Sequence, residues 1–196
     1  GIYLAMYAKK GFLTKFLRIC IETLSSLPSI VVGLFGYLVF LVFFGLGKSL
    51  LAGALSISIL AIPVITTTTE DAINGLPGHY LQASLGLGAT RWQSIYKVVI
   101  PAAGSGILSG IILGLARAFG EALAVAMVIG QTTALPKGLF STTKSLTTEI
   151  AAQMGNATEG GEMKTALWTM ALLLFLLSLL FILLIHYFSR PKKDKE

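Results

Sequence analysis

Charged residues are scarce in this sequence. Lysine, arginine, aspartate and glutamate together make up 12% of the 196 residues, whereas 55% are hydrophobic and the mean hydropathy is +0.81. A soluble domain of ordinary composition has about a quarter of its residues charged. The composition therefore excludes an ordinary soluble globular domain and indicates a membrane protein.

Cysteine and other metal-ligating residues are also rare. The single cysteine, Cys20, excludes a disulfide within the chain and any metal site built from cysteines. His79 and His186 stand far apart without neighbouring ligands, so we expect no metal site. The net charge is +6, but no basic stretch is interleaved with aromatic residues, so we expect no nucleic-acid partner.

The start of the sequence lacks a signal-peptide motif, and the glycine-rich segment 86–91 lacks a nucleotide-binding motif. The initial "GIYLAMYA" lacks the basic start and the cleavage pattern of a signal peptide. We interpret it as the end of an upstream helix, so the sequence is expected to be a fragment. The segment "GLGATR" at 86–91 lacks the Gly-Lys-Ser/Thr of a phosphate-binding loop, and we expect no ATP hydrolysis by this chain.

Four apolar stretches are long enough to cross a bilayer, whose core takes about 20 residues per helix. They lie near 27–46, 50–68, 101–130 and 166–188. Pro28 and Pro101 suit the first helical turns of the first and third stretches, because proline lacks an N–H that would be unsatisfied there. Pro63 predicts a kink in the second. The sequence thus predicts an all-α, polytopic transmembrane helical bundle.

Lysine and arginine are divided unequally between the two sides of this predicted bundle. Ten lie in the segments 8–25, 70–100 and 189–196, and four lie on the opposite side. Because cytoplasmic loops carry the excess of basic residues, the first side and the C-terminus are predicted to be cytoplasmic. The ten are Lys9, Lys10, Lys15, Arg18, Arg91, Lys97, Arg190, Lys192, Lys193 and Lys195; the four are Lys48, Lys137, Lys144 and Lys164.

Small residues recur every four positions in the third predicted span. One helix face therefore has almost no side-chain bulk, and another helix can approach it closely. We expect a packing seam there, either within the subunit or in a dimer. The series comprises Gly106, Gly110, Gly114, Ala118, Ala122, Ala126 and Gly130.

Two charges stand near the middle of the same span. Arg117 and Glu121 are four residues apart, which places them on one side of a continuous helix. A central arginine costs about 2.5–3.5 kcal/mol on insertion scales, so structure or function must require it. One alternative is an ion pair within the helix, although an acid preceding a base is the favoured order. The other is a cation that eases an anion across the membrane, with Glu121 holding Arg117 when no anion is present.

Between the second and third spans, residues 70–100 are less hydrophobic. Apolar positions at helical spacing predict two short helices joined at the bend "GLGAT", residues 86–90, where Gly86 and Gly88 permit a turn. On the inner membrane face, their exposed sides would be available to a partner. The alternative is an amphipathic segment that only rests on lipid.

This segment resembles the cytoplasmic loop of permeases of ATP-binding-cassette importers. The family pattern is Glu-Ala-Ala, three residues, Gly, nine residues, an aliphatic residue, one residue, then Leu-Pro. This chain keeps the spacing with Gln82-Ala83-Ser84, Gly88, Val98 and Ile100-Pro101. In such permeases the loop forms coupling helices that dock on the ATPase subunit. The resemblance implies a coupling role for Gln82, Ala83, Ser84, Gly88, Arg91 and Pro101, although Gln82 replaces the usual glutamate and can form no salt bridge.

The resemblance extends from residue 1 to about residue 188. "LPSIVVGLFGY" at 27–37 and "ARAFGEALAVAMVIG" at 116–130 look like the permease subunits of phosphate importers, and within the second stretch "GEALAVAMVIG" is closer to the subunit conventionally called C than to its partner A. This implies a transmembrane domain of the type I importer kind over 1–188, lacking the family's N-terminal region, and a basic cytoplasmic tail over 189–196. Arg117 and Glu121 match charged positions that the family associates with transport.

The resemblance also implies an assembly in a bacterial cell membrane. Its partners would be a second homologous permease subunit, two cytoplasmic ATPase subunits, an extracytoplasmic phosphate-binding protein and membrane lipid. No cofactor is expected on this chain, since ATP and Mg would be bound by the ATPase subunits.

Three alternatives remain open. A permease for sulfate or molybdate is the nearest, because such proteins carry a similar Gly-Glu pair. A secondary transporter would use an ion gradient without an ATPase. An intramembrane enzyme would need a catalytic pair at one depth, but Glu121 is the only deep acid and no histidine accompanies it, so no enzymatic activity is expected.

Overall fold

The computed structural model describes residues 1–8 and 11–188, and this part of the chain is helical and has no β-strand. The prediction of an all-α fold is therefore confirmed. The α-helices are α1 (Ile2–Met6), α2 (Phe12–Ser26), α3 (Ser29–Gly36), α4 (Leu50–Asn74), α5 (His79–Gly86), α6 (Arg91–Ser94), α7 (Ile100–Ala102), α8 (Gly104–Gly120), α9 (Leu123–Val128), α10 (Leu146–Gln153) and α11 (Glu162–Phe188). Two π-helical segments, Tyr37–Phe43 and Ile95–Val99, continue α3 and α6.

Two of these helices, α4 and α11, are each long and apolar enough to cross a membrane. Two pairs of helices pass the same test only when each pair is taken together across a sharp bend: Phe12–Ser26 with Ser29–Phe43, and Arg91–Ala102 with Gly104–Gly120. The described residues thus offer between two and four spans by length and composition. Helix α4 continues through Pro63 for 25 residues.

The predicted cytoplasmic tail, 189–196, lies outside the described residues, as do Lys9 and Lys10 of the basic set. The assignment of the cytoplasmic side stays a prediction from the sequence.

The third predicted span, 101–130, is not one helix. The helical segment of the preceding loop continues to Ala102, and the chain bends by 67° before α8 begins at Gly104. Pro101 lies in the first turn of α7, as expected, but α7 ends at Ala102 and the longer helix of the third stretch begins only at Gly104.

The chain divides into two compact units, of which the first holds residues 1–23, 62–114 and the described residues after 180. Its core joins α1, the second half of α4, the short loop helices and the start of α8. The buried residues are Ile73, Val99 and Ala103, and packed against them are Ile2, Ala5, Met6, Ala72, Leu76, Leu81 and Ile107. The loop helices are therefore anchored in a hydrophobic core.

The glycine series packs against α4 within this unit. A Cβ added at Gly106 would lie 2.6 Å from Cβ of Ala72, and one added at Gly110 would lie 2.9 Å from Cβ of Thr68. Gly110 and Gly114 are both buried. At Gly106 and Gly110, close approach of the two helices leaves no room for a side chain.

The second unit holds residues 24–61 and 115–180. Its core contains Val32, Leu60 and Ala124, with Leu27 and Ile59 packed against them. The N–H groups at the start of α4 have no acceptors within the helix. Carbonyl groups of the loop before α10 accept two of these N–H groups. Leu50 N–H donates to the Ser141 carbonyl at 3.0 Å, and Leu51 N–H donates to the Leu139 carbonyl at 2.8 Å.

Candidate functional site

Two short helices flank a tight turn in the segment that resembles a coupling loop. Helix α5 ends at Gly86, and Gly88 adopts φ +83°, a conformation that favours glycine. Thr90 then caps α6: its side chain accepts the Gln93 N–H at 3.3 Å, and the Gln93 side chain accepts the Thr90 N–H at 2.9 Å. The prediction of two short helices joined at this bend is confirmed.

A hydrogen bond between serines links the two helices. Ser84 Oγ donates to Ser94 Oγ at 2.9 Å, and both Ser94 and the following Ile95 are fully buried. Ser84 is therefore engaged inside the hairpin, while its neighbours Gln82 and Ala83 are exposed. Of the three residues at the positions of the Glu-Ala-Ala pattern, the first two are available to a partner.

The outer surface of this hairpin is apolar and aromatic. Leu87 is 90% exposed and Trp92 is 64% exposed, and Tyr80 is also exposed. Large exposed apolar patches mark interaction sites in proteins. We call the set Tyr80, Gln82, Ala83, Leu87 and Trp92 the coupling surface.

Arg91 makes a contact that the sequence did not predict. Its Nη2 donates to the Met6 carbonyl at 2.6 Å, and its guanidinium carbon lies 5.6 Å from the ring centroid of Tyr7. The two hydrogen-bonded residues are 85 positions apart in the chain. No local spacing rule could have indicated this contact.

The helix that carries the charged pair is broken at the pair itself. Helix α8 ends at Gly120, α9 begins at Leu123, and Glu121 lies between them. A carboxylate oxygen of Glu121, Oε1, accepts the Ala124 N–H at 3.1 Å. The Glu121 carbonyl accepts the Thr147 hydroxyl at 2.8 Å. Glu121 thus accepts one N–H of the first turn of α9 and is hydrogen-bonded to α10 through Thr147.

This geometry corrects the expectation that Arg117 and Glu121 share one face of a continuous helix. Gly120 is a poor helix former, and the Glu121 side chain offers the next N–H groups an alternative acceptor. Tertiary packing supports the break, because α9 lies against α3: a Cβ added at Gly33 would lie 2.7 Å from Cα of Ala124. The small-residue series is interrupted at Ala122 for the same reason.

Arg117 lies in the last turn of α8 and is exposed. Among residues 1–8 and 11–188 the ion pairs are Arg18–Glu70, Lys144–Glu149 and Lys164–Glu159, and none joins Arg117 to Glu121. A positive charge at a helix C-terminus is favourable, because it faces the negative end of the helix dipole. The arrangement therefore leaves the guanidinium of Arg117 accessible while the neighbouring carboxylate is engaged elsewhere.

An ion pair that sequence reasoning missed joins α2 to α4. Glu70 is only 7% exposed, and its carboxylate pairs with the guanidinium of Arg18. A buried carboxylate requires such a partner, since an uncompensated charge in the interior is costly. The partners are 52 residues apart, so only the burial of Glu70, which the sequence does not reveal, could have indicated the pair.

Comparison with known proteins gives a family match over nearly the whole chain. The model of the family described as binding-protein-dependent transport system inner membrane component matches residues 1–193. The probable ABC transporter permease protein YqgH of Bacillus subtilis is 46% identical over 185 residues, which cover 91% of this chain and 60% of that protein. The phosphate transport system permease protein PstC of Haemophilus influenzae is 31% identical over 199 residues, 89% of this chain and 62% of that protein.

The chain therefore spans about three fifths of the length of these relatives. Among solved structures, one described as the crystal structure of an amino acid ABC transporter with histidines aligns with a TM-score of 0.63. The alignment covers 96% of this chain and 81% of that one at 19% identity. At this identity the likeness concerns the fold.

Proposed function

The chain belongs to the family of binding-protein-dependent transport system inner membrane components, and on this basis we propose that it is a permease subunit of an ATP-driven phosphate importer in a bacterial cell membrane. The similarity to a phosphate transport permease supports the choice of phosphate. The observation that carries the proposal is the exposed Arg117 at the end of an apolar helix.

The proposed assembly places the chemistry of ATP in other subunits. A second homologous permease would complete the pathway, two cytoplasmic ATPase subunits would bind ATP and Mg, and an extracytoplasmic phosphate-binding protein would deliver the anion. The coupling surface, with its exposed leucine and tryptophan, fits a hydrophobic groove on an ATPase subunit. The C-terminus and the coupling surface would both be cytoplasmic.

Arg117 is the proposed pathway residue. A phosphate ion in a low-dielectric barrier needs a compensating charge, and guanidinium stays protonated while it offers several donors to oxyanion oxygens. Because Glu121 is engaged as a cap, it does not occupy those donors in this state. Its negative charge nevertheless lies four residues away in the chain, which would weaken retention of the anion and allow its release.

Uptake by the complete importer tests this role. The full-length subunit would be reconstituted with its partners in liposomes, and uptake of radiolabelled phosphate would be measured. We expect Arg117→Ala to lower uptake at least about tenfold with assembly intact, because the compensating charge is gone. Arg117→Lys should retain part of the activity, since it keeps the charge but loses the planar fork.

The matched control is Lys137→Ala, which removes a cation from an exposed loop. It should transport like the wild type. Normal uptake by Arg117→Ala would rule out the pathway role. Competition by unlabelled sulfate and molybdate tests the choice of phosphate: if either competes better than phosphate, the substrate assignment is wrong. Uptake without ATP would contradict an ATP-driven mechanism.

A further inference from the structure

We infer that Arg91 is a positioning residue that holds α6, the second of the two coupling helices, against the C-terminal end of α1, and that it is not a contact for the ATPase. The consequence of this contact for transport rests on the proposed function, whereas the contact between α6 and α1 does not. The inference revises the docking role that the sequence resemblance gave to Arg91.

The first observation concerns the end of α1. Helix α1 ends at Met6, and the carbonyls of a last helical turn have no N–H donors within the helix. The N–H groups of Tyr7 and Ala8 both return to the carbonyl of Tyr3, at 2.9 and 3.0 Å. The Met6 carbonyl instead accepts the guanidinium of Arg91 at 2.6 Å. A cation at this position also complements the negative end of the helix.

The second observation is the aromatic ring beside the hydrogen bond. The guanidinium carbon lies 5.6 Å from the Tyr7 centroid, within the range of a cation–π contact. The Tyr7 ring is in turn stacked with Tyr3, with centroids 6.4 Å apart. A planar guanidinium can donate in its plane while its face covers a ring, whereas an ammonium has no such face. The contact therefore favours arginine over lysine.

The third observation is that the same two elements share a core. Ile2 and Met6 of α1 pack against the buried cluster of Ile73, Val99 and Ala103, and Val99 belongs to the helical segment that begins with α6. The hydrophobic contact and the Arg91 contact together join the end of α1 to the second coupling helix at two places. A displacement of that helix would therefore move the end of α1 with it.

The neighbouring Trp92 gives a useful contrast. It is 64% exposed, and its only described ring partner is Tyr96 in the next helical turn. Docking energy on a partner usually comes from such exposed aromatic anchors. Both residues are exposed, but the described ring partner of Trp92 lies on its own helical segment, whereas Arg91 contacts Met6 and Tyr7 at the end of α1.

Hydrogen exchange on the full-length subunit in its complex tests the contact. In Arg91→Ala we expect exchange of the amides in residues 3–8 to rise on the order of tenfold, because the C-terminal cap of α1 is lost. Amides of α4 should be unchanged. Lys97→Ala, which removes an exposed cation from the same helical segment, is the matched control and should exchange like the wild type.

Phosphate uptake per ATP hydrolysed tests the consequence. Arg91→Ala should lower this ratio severalfold while the ATPase still copurifies, Tyr7→Leu should lower it less, and Arg91→Lys should restore part of it. Unchanged exchange in residues 3–8 of Arg91→Ala would overturn the inference. Loss of ATPase copurification in the same variant would contradict the statement that Arg91 is not a contact for the ATPase. If the wild-type complex moved no phosphate, the proposed function would fail, while the exchange result would still decide the contact.

Discussion

The turn between α5 and α6 and the break between α8 and α9 both separate two helices, but different interactions hold them. At the turn, Gly88 has a positive φ and the capping partners Thr90 and Gln93 are three residues apart. At the break, the local cap from Glu121 is joined by partners far along the chain, namely Thr147 and the α3 glycine Gly33. The first interruption is a local structure, whereas the second depends on tertiary packing.

The comparison explains why the two charges of the third apolar stretch have different surroundings. In a continuous helix, Arg117 and Glu121 would be neighbours able to pair. The break turns the carboxylate towards the N–H of Ala124 and leaves the guanidinium exposed. A pathway residue of the proposed kind requires this separation, because a paired arginine would offer fewer donors to an anion.

The largest expected effect on stability is at the contact between α3 and α9. A Cβ at Gly33 would lie 2.7 Å from Cα and 3.1 Å from the carbonyl oxygen of Ala124, and backbone atoms cannot move aside as a flexible side chain can. We expect Gly33→Ala to lower the free energy of unfolding in detergent by about 1–3 kcal/mol. Thermal or denaturant unfolding of the purified subunit measures it.

The same substitution at Gly120 is the control. A Cβ there would meet nothing within 4 Å, and alanine is the better helix former. Gly120→Ala should therefore be neutral or slightly stabilising. Equal stability of the two variants would show that the approach of α9 to α3 does not hold the break.

A smaller effect is expected at the local turn. Gly88 has φ +83°, which costs a residue with a side chain about 1–2 kcal/mol. We expect Gly88→Ala to destabilise the hairpin by about that amount, visible as faster hydrogen exchange in α6. Gly86→Ala, at the end of α5 where a Cβ would have open space, should leave exchange unchanged. Slower exchange in Gly88→Ala would mean that the turn does not need its left-handed residue.

The smallest effect is expected at the cap of α9. Glu121→Ala removes the acceptor of the Ala124 N–H. Loss of a side-chain cap at a helix N-terminus typically costs about 1 kcal/mol of the free energy of unfolding. Glu121→Gln keeps a side-chain oxygen and should lose only a fraction of that. If the unfolding free energies of both variants equal that of the wild type, the cap contributes nothing to the break.

The extent to which the fold could be predicted follows the same division. Continuous hydrophobicity indicated membrane helices, and the apolar positions at helical spacing in the loop, together with Gly86 and Gly88, indicated two short helices with a turn. The break at Glu121 left no such signal in the hydropathy, because the apolar run continues on both sides of it, and the poor helix former Gly120 does not by itself end a helix. The partners that hold it, Gly33 and Thr147, are identified only once the chain is folded.

The contacts of the candidate site divide in the same way. The sequence singled out Arg117 because an arginine in an apolar stretch is conspicuous. It assigned Arg91 to docking on the basis of its position in a motif. The structure places the Arg91 side chain on Met6 and Tyr7 instead, because these residues lie at the end of α1, which packs in the same hydrophobic core as the helical segment that carries Arg91.

By itself the sequence determined that this chain is a helical membrane protein with a structured loop between apolar stretches, since hydropathy, capping residues and turn glycines act over a few positions. Tertiary structure alone decided where the third stretch breaks, which charges pair and which arginines gain partners far along the chain. These depend on contacts between residues tens of positions apart, whose energies are comparable to local helix propensities and can therefore override them.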